Sequence, residues 1–297
     1  MRYRPFGRTG IAVSALSLAL NGDGDRRRAS DWLAIIHSAL EHGVNAFEIS
    51  RPSPALLSGL ADGIAAVRRG LLFVSLRADP NLRGRQIDGW VSEVIAAGGL
   101  GEIDLFTIDA DSPEFEEALV AGLRLKDLDL VRRLGVAGSG EQLLDHVEDP
   151  LFDALVMPFG FTSGWRDRNL VRTALERQMG VMSYDPHPDT LSDMVEDEKK
   201  QAKTGWFKRP EPLATSGSHA FLHSTPGWTA EQICMAHALT EPAITTVQMP
   251  VKDLDHLAGL AAVPERNLPA QISAQIEMSH FTAERTARTR AGDKRRA

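Results

Sequence analysis

Cysteine and tyrosine are nearly absent from this 297-residue chain, which has one Cys, Cys234, and two Tyr, Tyr3 and Tyr184. A lone thiol excludes an internal disulfide and any metal cluster built on cysteines. Cys234 falls in the helical-looking run Glu231–Leu239 and is expected to serve as a small buried apolar residue. Long apolar runs are missing too: no stretch approaches the ~18 residues of a membrane span, and M-R-Y-R-P-F-G-R-T-G lacks the apolar core of a secretory signal. A cytoplasmic protein with no membrane partner is expected. A basic excess is also lacking. The formal net charge is −7, which leaves no surplus cations to neutralise phosphates and argues against a nucleic-acid partner. The basic stretch Arg285–Arg296 is the exception and reads as part of a solvated, disordered tail over residues 283–297.

The remaining composition, 43% hydrophobic and 25% charged, suits a soluble globular core. Eight short apolar runs recur along it: Val13–Leu20, Val44–Phe47, Leu71–Leu76, Ile103–Ile108, Leu134–Ala137, Ala154–Met157, Val181–Tyr184 and Ile244–Val247. Helix-like stretches separate most of them. The runs are rich in Val, Ile, Leu and Phe and do not alternate with polar residues, as expected of strands covered on both faces of a parallel sheet. An open doubly wound sheet would be expected to carry a Gly-rich phosphate turn after its first strand. Here that run ends L-A-L-N-G-D-G, which is no G-x-G-x-x-G. The fold class is therefore α/β, a closed (β/α)₈ TIM barrel over residues 1–282. An N-terminal β-hairpin at Met1–Ser14, turning at G-R-T-G, caps it. Residues 185–229 form a long connection after strand seven, on the face where barrel sites are built.

The opening Y-R-P-F-G-R-T-G-I-A-V-S-A-L, then G-V-N-A-F, E-I-D-L-F-T-I, R-R-L-G-V-A-G, G-V-M-S-Y-D-P and T-A-E-Q-I-C-M-A-H-A-L resemble, in order, segments of the aldo-keto reductases. The resemblance implies a (β/α)₈ barrel that reduces carbonyls with NADP(H), using a Tyr acid supported by Lys, His and an Asp. Carried over position by position, the family's Asp falls on Glu48 and its Tyr on Ser53. Its Lys falls on Arg77 and its His on Asp109, so all four catalytic positions are substituted. Arg77 holds its proton too tightly to relay one, Ser53 is a weak acid, and Asp109 has the wrong sign beside a developing oxyanion. Glu48, Arg77 and Asp109 would sit at the ends of neighbouring strands, so a buried ion network with Arg77 in the middle is expected there.

The resemblance also implies a weakened NADP(H) site. Tyr184 matches the aromatic that stacks on the nicotinamide, and Lys252 stands where a cation meets a phosphate. Core packing and a solvated lysine are the alternative roles of these two. Pro250 replaces a Gly, Ala137 and Gly138 replace a Ser-Asn pair, and Gly259 and Leu260 replace a Glu-Asn pair. Three functions stay open: a non-catalytic or diverged barrel binding a small molecule or a protein; an NADP(H)-dependent oxidoreductase with a rebuilt site; and a cofactor-independent lyase or isomerase using Glu48, Asp109 and His187. Asp185 and His187, in Y-D-P-H-P, could join Glu48 and Asp109 around a divalent metal, although none is expected.

Overall fold

A computed structural model describes residues 1–140, 142–186, 221–276 and 278. His187, most of the long connection and the basic tail lie outside these residues. Two short strands, β1 (Tyr3–Pro5) and β2 (Ala12–Ser14), pair antiparallel with Tyr3 opposite Ser14. The hairpin turns through a 3₁₀ segment, Gly7–Thr9. Eight strands follow: β3 (Leu16–Asn21), β4 (Ala46–Ser50), β5 (Phe73–Arg77), β6 (Leu105–Asp109), β7 (Leu134–Ala137), β8 (Ala154–Pro158), β9 (Gly180–Tyr184) and β10 (Thr246–Pro250). All are parallel, and β10 returns to pair with β3, so the sheet is closed.

The helices between them are α1 (Ala29–Glu41), α2 (Pro54–Ile64), α3 (Arg85–Ala97), α4 (Phe115–Asp127), α5 (Leu143–Glu148) and α6 (Trp165–Glu176). After β9 come α7 (Phe221–Ser224) and α8 (Ala230–Ala238), and after β10 comes α9 (Leu254–Ala261). Several begin on sequence signals. Pro54 opens α2 behind its cap Ser53, a capping box joins Thr229 to Gln232 at α8, and Asp253 caps α9.

The structure departs from the expected pattern in two places. The run Val13–Leu20 is not one strand: Ser14 turns the chain between β2 and β3, its hydroxyl donating to the Leu16 carbonyl at 2.6 Å. The connection over residues 185–229 is not all loop either. Its last part forms α7, where Phe221 and Leu222 are buried against Phe161, Ile233 and Cys234. Cys234 is fully buried, and burial pushes its thiol up to about 12, so it is an inert core residue.

Alternate strand residues divide between two cores. One set, including Leu18, Phe47, Leu76, Ile108, Leu155 and Met249, packs outward under the helices. The other, including Ala46, Phe73, Leu105, Val156 and Met182, fills the barrel interior together with Phe6 from the hairpin. This is the period-two alternation of a strand covered on both sides. Phe6 closes the N-terminal end, its ring centroid 4.5 Å from that of Phe73. Gly180 makes room for it, since a β-carbon there would lie 2.5 Å from the Phe6 ring.

Removing the plug should be costly. Phe6→Ala is expected to lose about 3–5 kcal/mol in urea denaturation. Gly180→Ala should destabilise alone, through the clash, yet cost little when added to Phe6→Ala. Additive losses in that double-mutant cycle would refute the close approach.

Candidate functional site

Continuing the inward-facing alternation toward the C-terminal ends of the strands leads to charge. Glu48 follows Ala46 on β4, Arg77 follows Phe73 and Ser75 on β5, and Asp109 follows Leu105 and Thr107 on β6. Three successive strands thus bring a Glu, an Arg and an Asp to one rim. Arg77 Nε donates to Asp109 at 3.1 Å (Oδ1) and 3.2 Å (Oδ2), and its Nη2 donates to Oδ1 as well. Glu48 is served less well. Its Oε1 lies 3.9 Å from Arg77 Nη1, within ion-pair reach but beyond a hydrogen bond.

The expected network is therefore present but lopsided. Asp109 takes the planar fork of the guanidinium, while Glu48 is buried with a distant counter-charge. Burial pushes the Glu48 carboxyl above the ordinary value of 4.5, Arg77 opposes that, and the Asp109 charge adds to it. Burial alone would lower the Arg77 pKa, but its hydrogen bond to Asp109 and the two carboxylate charges more than offset that and raise it. From β5 the Arg77 guanidinium also reaches over the ring of Tyr184 on β9, its central carbon 5.3 Å from the ring centroid. In the strand order β5 and β9 are four positions apart, so this contact crosses the barrel mouth. Burial raises the Tyr184 pKa despite the adjacent Arg77.

Ser53 does not join the cluster. Its hydroxyl accepts the Leu56 N–H at 3.2 Å and caps α2. The backbone before the cap presses on the loop after β3, where a β-carbon at Gly22 would come within 2.3 Å of the Ser53 nitrogen. Asp185, just past Tyr184, has a left-handed backbone with φ of 48°. Among the described residues no group of three or more His, Cys, Asp or Glu is placed to hold a metal ion.

No family model matches the chain, and no curated protein does. Solved structures do. A thermostable aldo-keto reductase, crystallised with the inhibitor epalrestat, superposes with a TM-score of 0.68 at 19% identity, over 95% of this chain and 99% of its own. An aldo-keto reductase from Bacillus halodurans in its holo form gives 0.68 at 15% identity, over 93% and 95%. The chain has the aldo-keto reductase fold.

Within that fold, the remaining candidate positions carry structural contacts. Lys252 has an exposed side chain, and its backbone N–H donates to His256 Nδ1 at 3.2 Å. Leu260 is fully buried in α9, and the Gly259 carbonyl accepts from Gln232 Nε2 at 3.0 Å. Ala137 ends β7 inside the barrel cluster, and the Gly138 N–H donates to the Val156 carbonyl at 3.1 Å. Pro250 ends β10 opposite Ala19.

One contributor is barely marked in the linear sequence. Arg27, before α1, donates to the carbonyls of Val251 at 2.8 Å and Lys252 at 2.6 Å, and it pairs with Asp25 at 2.7 Å. It clamps the loops after β3 and β10 together. The charge run D-G-D-R-R-R was its only signal. Gln248 was missed too. It lies beside Ser17 in the β10–β3 register, and Gln248 Oε1, Ser17 Oγ and Thr246 Oγ1 have no hydrogen-bond partner among the described residues. A polar residue in a strand that reads T-V-Q-M-P was its mark.

Arg77→Met should destabilise the fold by about 3 kcal/mol, less than the upper range for a buried pair because Asp109 is 31% exposed. The loss should shrink at acid pH, where Glu48, its pKa raised by burial, takes up a proton. Glu48→Gln should do the opposite of a damaging change. With its folded pKa raised, ionised Glu48 costs stability as pH rises through that value, and nothing below the unfolded one. Denaturation at neutral pH is expected to find Glu48→Gln as stable as the parent or more so, with the gain lost at acid pH. Instability of Glu48→Gln at neutral pH would contradict the lopsided pairing.

Proposed function

We propose that this chain is an aldo-keto reductase-like barrel whose acid–base and dinucleotide positions have been rebuilt. It acts as a non-catalytic or functionally diverged protein that takes a small molecule or a protein at its mouth. One observation carries the reading: the Arg77 guanidinium, clamped by Asp109, lies over the Tyr184 ring. The resemblance gives that ring to the nicotinamide, so a bound cofactor would have to displace a doubly hydrogen-bonded arginine from it.

Other contacts argue the same way, and the residues present do not fit NADP(H). The positions implied for the adenine end are a core leucine and a glycine packed on α8. Where the pyrophosphate would approach, Pro250 lacks the N–H and the backbone freedom of a glycine. The cleft beside it, about 310 Å³, is lined by Asp23, Asp25, Arg27 and Trp32. Arg27 is engaged with Asp25, and Asp23 pairs with Arg51 at 2.9 Å, so neither carboxylate leaves an arginine free for a phosphate. Tyr184 is the one described tyrosine at this end of the barrel, because the Tyr3 hydroxyl donates to the Gly43 carbonyl beside the hairpin. With its pKa raised, Tyr184 is a poorer proton donor than an ordinary phenol.

A second reading, a cofactor-independent lyase or isomerase, has one observation in its favour. Glu48 is a buried carboxyl at the C-terminal rim, and burial raises its pKa, so it holds a proton to higher pH than an ordinary glutamate. His187, its proposed companion, lies outside the described residues.

Titration of NADPH fluorescence with the full chain tests the first reading against an NADP(H)-dependent oxidoreductase with a rebuilt site. A dissociation constant weaker than about 10 μM, with no NADPH-dependent loss of aldehyde, is expected. Binding at about 1 μM or tighter, with turnover, would establish the oxidoreductase instead.

A further inference from the structure

The barrel end opposite the mouth has its own concavity. It measures about 270 Å³ and lies between β1, the C-terminal end of α8 and the segment after α9. Arg2, Arg4 and Arg266 line it, and among the described residues no carboxylate does. Charges held against a protein wall are ordinarily paired, so three guanidiniums around one pocket call for an account.

Two of them are fixed by the fold. Arg4 Nη1 donates to the carbonyls of Glu241 at 3.2 Å and Ile244 at 2.5 Å, and its Nη2 donates to that of Leu239 at 2.6 Å. Leu239 is the C-cap of α8, where the helix dipole also favours a cation. Arg266 Nη2 donates to the Gly227 carbonyl at 2.6 Å, and its guanidinium lies 3.7 Å over the Trp228 ring. These acceptors are neutral. Arg2 is exposed, and its side chain makes no hydrogen bond or ion pair among the described residues.

Two nearby acids compensate the arginines in part without lining the pocket. Glu265 lies 2.7 Å from the amino nitrogen of Met1 and also feels the charge of Arg2, and Glu241 acts on Arg4. Burial and then the like charge of Arg2 lower the Arg4 pKa, as expected of cations short of a counter-charge. The rest of the wall is mixed. Leu239, Val263, Pro264 and Leu268 give an apolar surface, and Asn267 and Ser273 bring hydrogen-bonding groups.

We infer that this pocket binds a small organic anion, a carboxylate or a phosphate carried on a short apolar body. An oxyanion between Arg2 and Arg4 would accept from guanidinium N–H groups whose fork geometry suits it, and it would relieve their mutual repulsion. The leucine and proline wall would cover the apolar part. The volume lies at the small end for ligand sites, which admits a single-ring compound and excludes a dinucleotide. What occupies the mouth has no bearing on this pocket.

Calorimetric titration of the full chain with benzoate, phenyl phosphate and inorganic phosphate tests the inference. Saturation at one site per chain by benzoate or by phenyl phosphate is expected, and which of them binds assigns the headgroup. Arg2→Gln should weaken that binding about tenfold, the scale of one charge-assisted hydrogen bond. Its urea midpoint should move little, because the side chain makes no hydrogen bond or ion pair among the described residues and only a through-space interaction with Glu265 is lost. Arg266→Gln should weaken binding as well. No saturable binding by either aromatic probe up to about 10 mM would overturn the inference. So would full affinity in Arg2→Gln, or inorganic phosphate binding as tightly as phenyl phosphate.

Discussion

Arg77 faces two carboxylates with one guanidinium, and the mouth of the barrel is organised by how it divides itself between them. The division follows from strand register. Arg77 pairs with Thr107 across β5 and β6, which leaves Asp109 just beyond, at the strand end, in line with the planar fork. Glu48 sits two residues deeper on β4, opposite Ser75, and meets only the edge of the same group. Asp109 is thereby satisfied and partly solvated, whereas Glu48 is buried and under-compensated. The same extended side chain reaches Tyr184 on the far wall. One arginine therefore opposes, without overcoming, the burial that raises the Glu48 pKa, anchors Asp109 and covers an aromatic face.

The scaffold is insulated from this arrangement. Outward-facing residues form the large core under the helices, and the interior cluster is closed from below by Phe6. Chemistry at the rim can change while both layers stay intact, which is how barrels come to share a fold without sharing a reaction. At 15–19% identity the two solved relatives show this barrel and nothing of its chemistry.

Much of the fold was legible because buried parallel strands are apolar on both faces. Every one of the eight runs overlaps a barrel strand, and Leu134–Ala137 matches its strand end to end. Two of the boundary errors share a direction and a cause. Val44–Phe47 and Ile244–Val247 begin two residues before β4 and β10 and end three residues short of them. Val44 and Ile244 are buried lead-ins, while Glu48, Ser50 and Gln248 are polar residues at strand ends. Apolar content cannot find a strand's end where the strand turns polar to build a site. The rim residues Glu48, Arg77 and Asp109 were found through their positions in the family pattern, and opposite charge predicted their pairing. Ser53 has a local role that the family pattern does not announce: it stands before Pro54 and caps α2. Arg27 could not be found, because its partners are backbone carbonyls more than two hundred residues away, which leave no trace in a linear pattern.

Carbon-13 NMR titration of the Glu48 carboxyl, assigned by its loss in Glu48→Gln, tests the unequal division of Arg77 most directly. Glu48 is expected to take up its proton with a midpoint clearly above the ordinary 4.5 of a glutamate. That midpoint should rise further in Arg77→Met, where the distant counter-charge is gone. A Glu48 midpoint at or below the ordinary value would mean that Arg77 serves both carboxylates fully, which contradicts an unequal division.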